Sequence, residues 1–309
     1  MRKVLMTTRC TFDCRYCVLR NSGVDHDPVR LARDHLGRRD GAGIFLSSGI
    51  SPDPDEATLA MIRAARVLRD GGYTGYIHLK VLPGVSRDLV GLAARYADRM
   101  SVNIESPSAE RLSHLSPSKD FRNDILRRQS WIRDLPGGLP SGQTTQMIVG
   151  LGESDLEALR MAATEYRAYG LRRVYYSPFR PTGRPDLPSR GPPNPRVARL
   201  YRADALLRLY RWPLRRIEAA VGDDGFLLEG DPKTRIVADL LHGPVDPAEA
   251  DGDELLLVPG IGPRTARRLA GRVPPGATWR DLRRLGVPDR ARPFLRVGGT
   301  WQTTWKRWC

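Results

Sequence analysis

Val4-Leu-Met-Thr-Thr8-Arg-Cys10-Thr-Phe-Asp-Cys14-Arg-Tyr-Cys17 places three of the chain's four cysteines directly behind a short apolar run. Val4 to Thr8 reads as a β-strand, which puts the thiols in the loop at its carboxyl end. Four cysteines are too few for a disulfide scaffold, and crowding of this kind signals a metal. Soft thiolates select zinc, Cu(I) or iron–sulfur clusters. Zinc would need a fourth ligand from His26 or a remote side chain, because the chain has no second cysteine pair. Three thiolates can instead hold three irons of a cubane and leave the fourth open. Thr11, Asp13, Arg15 and Tyr16 make the loop polar, which argues against three buried cysteines with no ligand.

Outward from this loop, short apolar runs alternate with longer stretches of helical periodicity. The expected strands are Val4 to Thr8, Gly43 to Ser48, Gly75 to Leu82, Met100 to Glu105, Thr145 to Gly150 and Arg173 to Phe179. Between them, Ala57 to Arg69, Arg87 to Ala97 and Asp155 to Tyr169 carry apolar residues at helical spacing, with Ser86 and Ser154 at N-cap positions and Gly71, Gly72 and Gly170 as stop signals. Alternation of this kind predicts an α/β fold with a parallel sheet, here a partial (β/α)6 TIM-like barrel with its chemistry at the carboxyl ends of the strands. A long Pro/Gly/Arg-rich loop is expected over Pro178 to Pro195, followed by a helix from Arg196 to Tyr210. The turn-rich stretch Gly222 to Gly252 reads as irregular. The predicted domains are a barrel over 1–215, a linker over 216–252 and a small all-α domain over 253–309.

The chain has 309 residues, 40% hydrophobic and 28% charged, which excludes a disordered protein. No apolar run reaches the roughly 18 residues of a membrane span and no signal-like segment opens the chain, so no membrane partner and a cytoplasmic location are expected. Fifty Lys and Arg against 35 Asp and Glu give a net charge of +15. That excess favours a polyanionic partner, although Arg-rich composition alone is a weak sign of one.

The spacing CxxxCxxC, with aromatic Tyr16 before the last cysteine and a βα pattern after it, resembles the radical S-adenosylmethionine (SAM) superfamily. The resemblance implies a [4Fe–4S] cluster on Cys10, Cys14 and Cys17, with SAM chelated at the open iron. Reductive cleavage of SAM would then yield a 5′-deoxyadenosyl radical, with an electron donor such as flavodoxin or ferredoxin. Further places match the superfamily's cofactor-binding sites. Ser47, Ser48 and Gly49 stand where members often have Gly-Gly-Glu for the methionyl amino group, with Ile50 in place of the acid; an ordinary strand-end turn is the alternative. Asn103 and Glu105 are candidates for the ribose hydroxyls. Gln146-Met-Ile148-Val-Gly150-Leu-Gly-Glu153 is similar to the GxIxGxxE motif, with Ile148 against adenine and Gly150 permitting backbone approach. Glu153 either serves the cofactor or favours a helix N-terminus. His78 and Lys80, and Tyr175 and Ser177, are expected to line the substrate cavity.

Leu255-Leu-Leu-Val258-Pro-Gly260-Ile-Gly262-Pro-Arg264-Thr265-Ala-Arg267-Arg268-Leu269 resembles a helix-hairpin-helix. Gly260 and Gly262 suit a tight turn with Ile261 plugged inward, and Arg264, Thr265, Arg267 and Arg268 suit a DNA backbone. Trp279 to Leu295 reads as a degenerate second hairpin, and Trp301, Trp305 and Trp308 as an aromatic tail. Together with Phe45-Leu-Ser-Ser-Gly49, Gly75-Tyr-Ile-His-Leu-Lys80 and Arg172-Arg-Val-Tyr-Tyr-Ser177, the whole chain resembles a family of radical SAM proteins assigned to DNA modification or repair. That family is associated with uracil-DNA-glycosylase-like partners, and its members usually carry extra residues before the first strand, whereas Cys10 here lies nine positions after Met1. A base drawn from the stack would meet the radical at the barrel mouth. If the reaction needs a protein hydrogen-atom donor, Cys309, Tyr175 and Tyr176 are the candidates. Two alternatives stay open: a radical enzyme acting on RNA or tRNA, and a non-catalytic iron–sulfur protein that binds DNA.

Overall fold

The computed structural model describes residues 1–20, 22–38 and 41–298. Six strands form one parallel sheet in chain order: β1 (Arg2–Leu5), β2 (Ile44–Ser47), β3 (Ile77–Lys80), β4 (Arg99–Ser101), β5 (Gln143–Val149) and β6 (Arg173–Pro178). Helices α1 (Pro28–Leu36), α2 (Pro54–Asp70), α3 (Arg87–Ala94), α4 (Ala109–Leu115), α5 (Arg127–Arg133) and α6 (Asp155–Tyr169) lie between the strands. The expected α/β half-barrel is therefore present.

Alternation along the strands divides the two faces of the sheet. Ile44, Leu46, Ile77, Leu79, Met100, Met147, Val149 and Val174 are fully buried, and each such side chain contributes about 1.5–3 kcal/mol. The intervening residues are polar or half-buried, and the register sets Phe45 beside His78, Lys80 beside Ser101 and Gln146 beside Tyr175. This second face is thus available for a ligand. Helix α2 shows how the covering layer is specified. Asp53 Oδ1 accepts from the amides of Asp55 and Glu56, Pro54 starts the helix, and Met61, Ala64, Ala65 and Leu68 form its buried stripe.

The strands are mostly shorter than expected, for local reasons. β4 was expected to reach Glu105, but the Ile104 amide turns to Thr145 Oγ1, which interrupts the ladder after Ser101; pairing with β5 resumes at Glu105, which bridges Met147 with a φ of 63°. Ser154 caps α6 reciprocally with Glu157, whereas Ser86 makes no side-chain cap bond to α3.

Contacts group Met1–Glu153 with Arg160–Pro193, and Ser154–Leu159 with the residues from Asn194 on. The division falls at Pro193, earlier than the boundary expected at 215. Within the second unit α7 (Asn194–Arg208) buries Leu200, Ala203 and Leu206, and packs against α8 (Leu214–Ile217) and α9 (Pro232–Val237). The segment 216–252, expected to be an irregular linker, contains α9. Asp231-Pro232, which reads as a turn, is in fact an N-cap followed by proline at the first helical position. Helices α10 (Gly252–Leu257), α11 (Pro263–Leu269) and α12 (Trp279–Arg284) complete the unit. Among the described residues no helix is long and apolar enough to cross a membrane.

Candidate active site

The cysteine loop is tied down along its length. The Thr11 amide and hydroxyl both donate to Ile50 O, the Arg15 amide donates to Leu115 O, and the Cys17 amide closes a turn on Cys14 O. Asp13 accepts from Ser116 Oγ, from the Ser118 amide and from Ser118 Oγ at 2.6 Å. Slight burial would raise its carboxyl pKa, but the serine hydrogen bonds outweigh that and hold it below the usual range. Cys14 Sγ lies 3.3 Å from Ser116 Oγ.

All three thiols line one cavity of about 150 Å³ beside the carboxyl ends of β1 to β4, together with Tyr16, Ser48, Gly49, Ile50, Lys80, Asn103, Glu105 and Lys119. Cys10 and Cys14 are half-buried and Cys17 is exposed. Among the described residues no three His, Cys, Asp or Glu side chains are gathered to hold a single metal ion. Ligands of one zinc must all converge at about 2.0–2.3 Å from the same point, whereas thiolates on a cubane attach to separate irons. All three thiols reach the same cavity, so the loop can offer three thiolates to one bound group. The Ser48 hydroxyl in the same wall is buried and has no hydrogen-bond partner among the described residues, which leaves it free for a bound group.

The cavity's charges come from residues far apart in sequence. Asn103 Nδ2 donates to Glu105 Oε1 at 3.3 Å, and Lys119 Nζ lies 3.9 Å from the same oxygen. Lys119 also donates to Tyr16 Oη at 2.9 Å and sits over the rings of Phe12 and Tyr16. Burial alone would lower the Lys119 pKa, but Glu105 and the cysteines raise it, so the ammonium persists. Burial, with help from Glu105 and Cys14, pushes the Tyr16 phenol well above its usual pKa and keeps it neutral. Burial lowers the pKa of Lys80. Lys119, in the loop Ser116-Pro-Ser-Lys119, was missed in the sequence, where only its flanking Pro and Ser residues mark anything.

Glu105 also borders a second cavity of about 270 Å³, which holds Ile148, Glu153, Arg15, Arg111, His114 and Asp186. Glu153 accepts from the Gly150 and Leu151 amides, so its carboxylate shapes the turn after β5. Gly150 has a φ of 98°, and a Cβ there would strike Pro192, so its own chain already requires the glycine. Ser47 stays in β2 and does not line the first cavity, unlike Ser48 and Gly49. A Cβ at Gly49 would strike the Arg9 carbonyl oxygen. His78 bonds Ser101 Oγ at 2.9 Å; burial, aided by Arg99 and Lys80, pushes its pKa down to about 3 and leaves the ring neutral. Tyr175 lies under the Arg173 guanidinium, while Tyr176 is buried on the opposite face of β6, so the two cannot serve one role. Cys309 and the three tail tryptophans lie outside the described residues.

In the second unit, α10 and α11 are joined by the turn Val258–Gly262. Asp251 and Glu254 form a capping box on α10. Gly260 has a φ of 92°, Ile261 is fully buried, and Arg264, Arg267 and Arg268 are exposed. Gly262 is extended, not left-handed, and caps α11. A Cβ at Gly286 would strike Arg268 of α11, and one at Gly260 would strike Arg290, so both glycines lie close against arginine side chains.

No known protein family matches the sequence, and no curated protein does. Solved structures do match in fold. The FeFe-hydrogenase maturase HydG from Carboxydothermus hydrogenoformans is similar with a TM-score of 0.51 and 16% identity, over 77% of this chain and 64% of that one. SuiB from Streptococcus suis is similar with a TM-score of 0.51 and 12% identity, over 78% of this chain and 52% of that one. The chain spans about half to two thirds of the length of these proteins, and at such identities the likeness is one of fold.

Proposed function

We propose that this chain is a radical SAM enzyme that acts on DNA. The observation that carries the first half is the convergence of Cys10, Cys14 and Cys17 on one cavity that also contains an unpartnered buried hydroxyl, Ser48. The likeness in fold to the FeFe-hydrogenase maturase HydG and to SuiB supports the half-barrel scaffold on which this site is built. The three thiolates would hold the cluster. When bound, cluster and SAM together supply one-electron reductive cleavage and a hydrogen-abstracting radical.

The chain's own residues orient and shelter the cofactor. Lys80 and Lys119 bring positive charge to the cavity wall and suit the carboxylate of SAM. Ser48 offers a hydroxyl to the amino group where Ile50 cannot. Asn103 and Glu105, linked to each other, suit the ribose hydroxyls. Ile148 lines the adjoining cavity as an apolar face for adenine. Neutral His78 and half-buried Tyr175 lie deeper on the same face of the sheet.

Support for DNA is the turn Val258–Gly262 with its exposed arginines, whose sequence resembles a helix-hairpin-helix, and the net charge of +15. An electron donor of the flavodoxin or ferredoxin kind, and a uracil-DNA-glycosylase-like partner, belong to the same proposal. The test is strictly anaerobic incubation of the reconstituted protein with reductant, SAM and either duplex DNA, single-stranded DNA or tRNA, followed by nucleoside mass spectrometry. A mass change confined to DNA is expected. A change confined to tRNA would move the substrate to RNA, and SAM left intact with every substrate would leave only a non-catalytic iron–sulfur protein.

A further inference from the structure

Lys233 is buried to 6% exposure in the second unit. It stands in the first turn of α9, where Asp231 accepts its backbone amide. Its Nζ donates to two carbonyl oxygens of the turn between α10 and α11, Val258 O and Ile261 O, each at 2.6 Å. The Tyr210 ring covers the ammonium, with its centroid 4.8 Å from Nζ, and the Tyr210 hydroxyl donates to the same Ile261 O at 3.1 Å. Two carbonyl dipoles and the negative face of a ring surround one positive charge. Burial pushes the pKa of Lys233 down to about 7, Asp231 pulls the other way and Arg290 adds to the lowering. A neutral amine would satisfy both carbonyls only by turning its lone pair toward the ring.

Carbonyl oxygens replacing a hydration shell are also how proteins bind potassium, an ion close in size to ammonium. We propose that the Lys233 ammonium is a tethered monovalent cation for the Val258–Gly262 turn, locking it in the shape that presents Arg264, Arg267 and Arg268 to a nucleic-acid backbone. The presentation half rests on the DNA reading above; the cation half does not. Lys233 is on this view a positioning residue. It fixes the carbonyls, the carbonyls fix the turn, and the turn sets where α11 begins. Removing the side chain while leaving both carbonyls and Tyr210 in place should open a site that free potassium fills and the smaller, strongly hydrated lithium does not.

The experiment uses the full chain, wild type and Lys233→Ala, in potassium chloride and lithium chloride at equal ionic strength. Wild type should show one melting temperature in both salts. Lys233→Ala should melt lower in lithium and recover in potassium, and its affinity for a duplex DNA probe should fall by about tenfold in lithium and return in potassium, the scale of one charge-assisted hydrogen bond. Lys233→Met, whose chain fills the space without charge, should not recover. Equal melting of Lys233→Ala in both salts overturns the cation role. Duplex affinity like wild type in both salts overturns the presentation role and leaves the DNA reading intact. Potassium-dependent melting, in a protein whose wild type binds no nucleic acid, would sustain the cation and remove the DNA reading. Should Lys233→Ala fold in neither salt, Lys233→Ser, which is as small and keeps a neutral donor in the first turn of α9, takes its place in the same comparison.

Discussion

Replacing Glu165 by glutamine should remove most of the protein's loss of stability between pH 5 and pH 8. Glu165 lies on α6 with no exposed surface. Its Oε2 accepts from Gln129 Nε2 at 2.8 Å, but its Oε1 is buried without a partner among the described residues, and so is Gln129 Oε1. Burial raises its pKa from 4.5 to about 8, and the Gln129 hydrogen bond only partly opposes this. Below pH 4.5 the folded and unfolded chains both hold the proton and the contribution is fully present. As pH rises toward 8 the unfolded chain gives up a proton that the folded chain keeps, so stability falls by about 1.4 kcal/mol per pH unit, on the order of 4 kcal/mol over the whole window. Glutamine has nearly the same shape and does not titrate, and Gln129 can pair with it through either end of its amide. Urea unfolding at pH 5 and pH 8 measures the difference between the two proteins at each pH. Glu165→Gln should gain on wild type by several kcal/mol across that interval. Parallel stability curves, agreeing within about 0.5 kcal/mol, would show that the carboxyl ionises normally and that its surroundings are wetter than this packing allows.

Lys119→Ala should weaken SAM binding by roughly tenfold by isothermal titration of the anaerobic holoprotein, with Lys119→Arg losing less, because the ammonium is the charge nearest Tyr16 and Glu105; unchanged affinity would remove it from the site. Gly49→Ala should lower stability by about 2–4 kcal/mol in urea titration, since its methyl group meets a backbone oxygen that cannot swing aside. His78, whose folded pKa is pushed down to about 3, should contribute stability that is full above pH 6.5 and lost as pH falls toward 3, so His78→Gln should flatten the acid limb of the stability curve.

Much of the barrel was legible because its signals are local. Strand periodicity, glycines after the helices and caps such as Ser154 act over a few residues, and six strands appear where apolar runs stand. The cysteine loop was legible for the same reason. What escaped depends on distant partners. Lys119 becomes a site residue only through Tyr16 and Glu105, and Lys233 only through carbonyls at 258 and 261. Neither stands in a periodic pattern that would mark it. The end of β4 moved because Thr145 captures the Ile104 amide, a side-chain competition that hydrophobic runs do not reveal.

The cofactor claim is tested most directly by measuring 5′-deoxyadenosine released from SAM by anaerobically reconstituted protein under reduction, with iron and sulfide assayed in the same sample. The account predicts about four irons per chain and reductive release, with both lost in a variant carrying Cys10→Ala, Cys14→Ala and Cys17→Ala together. Zinc in place of iron, or release that survives the loss of all three thiols, would contradict it.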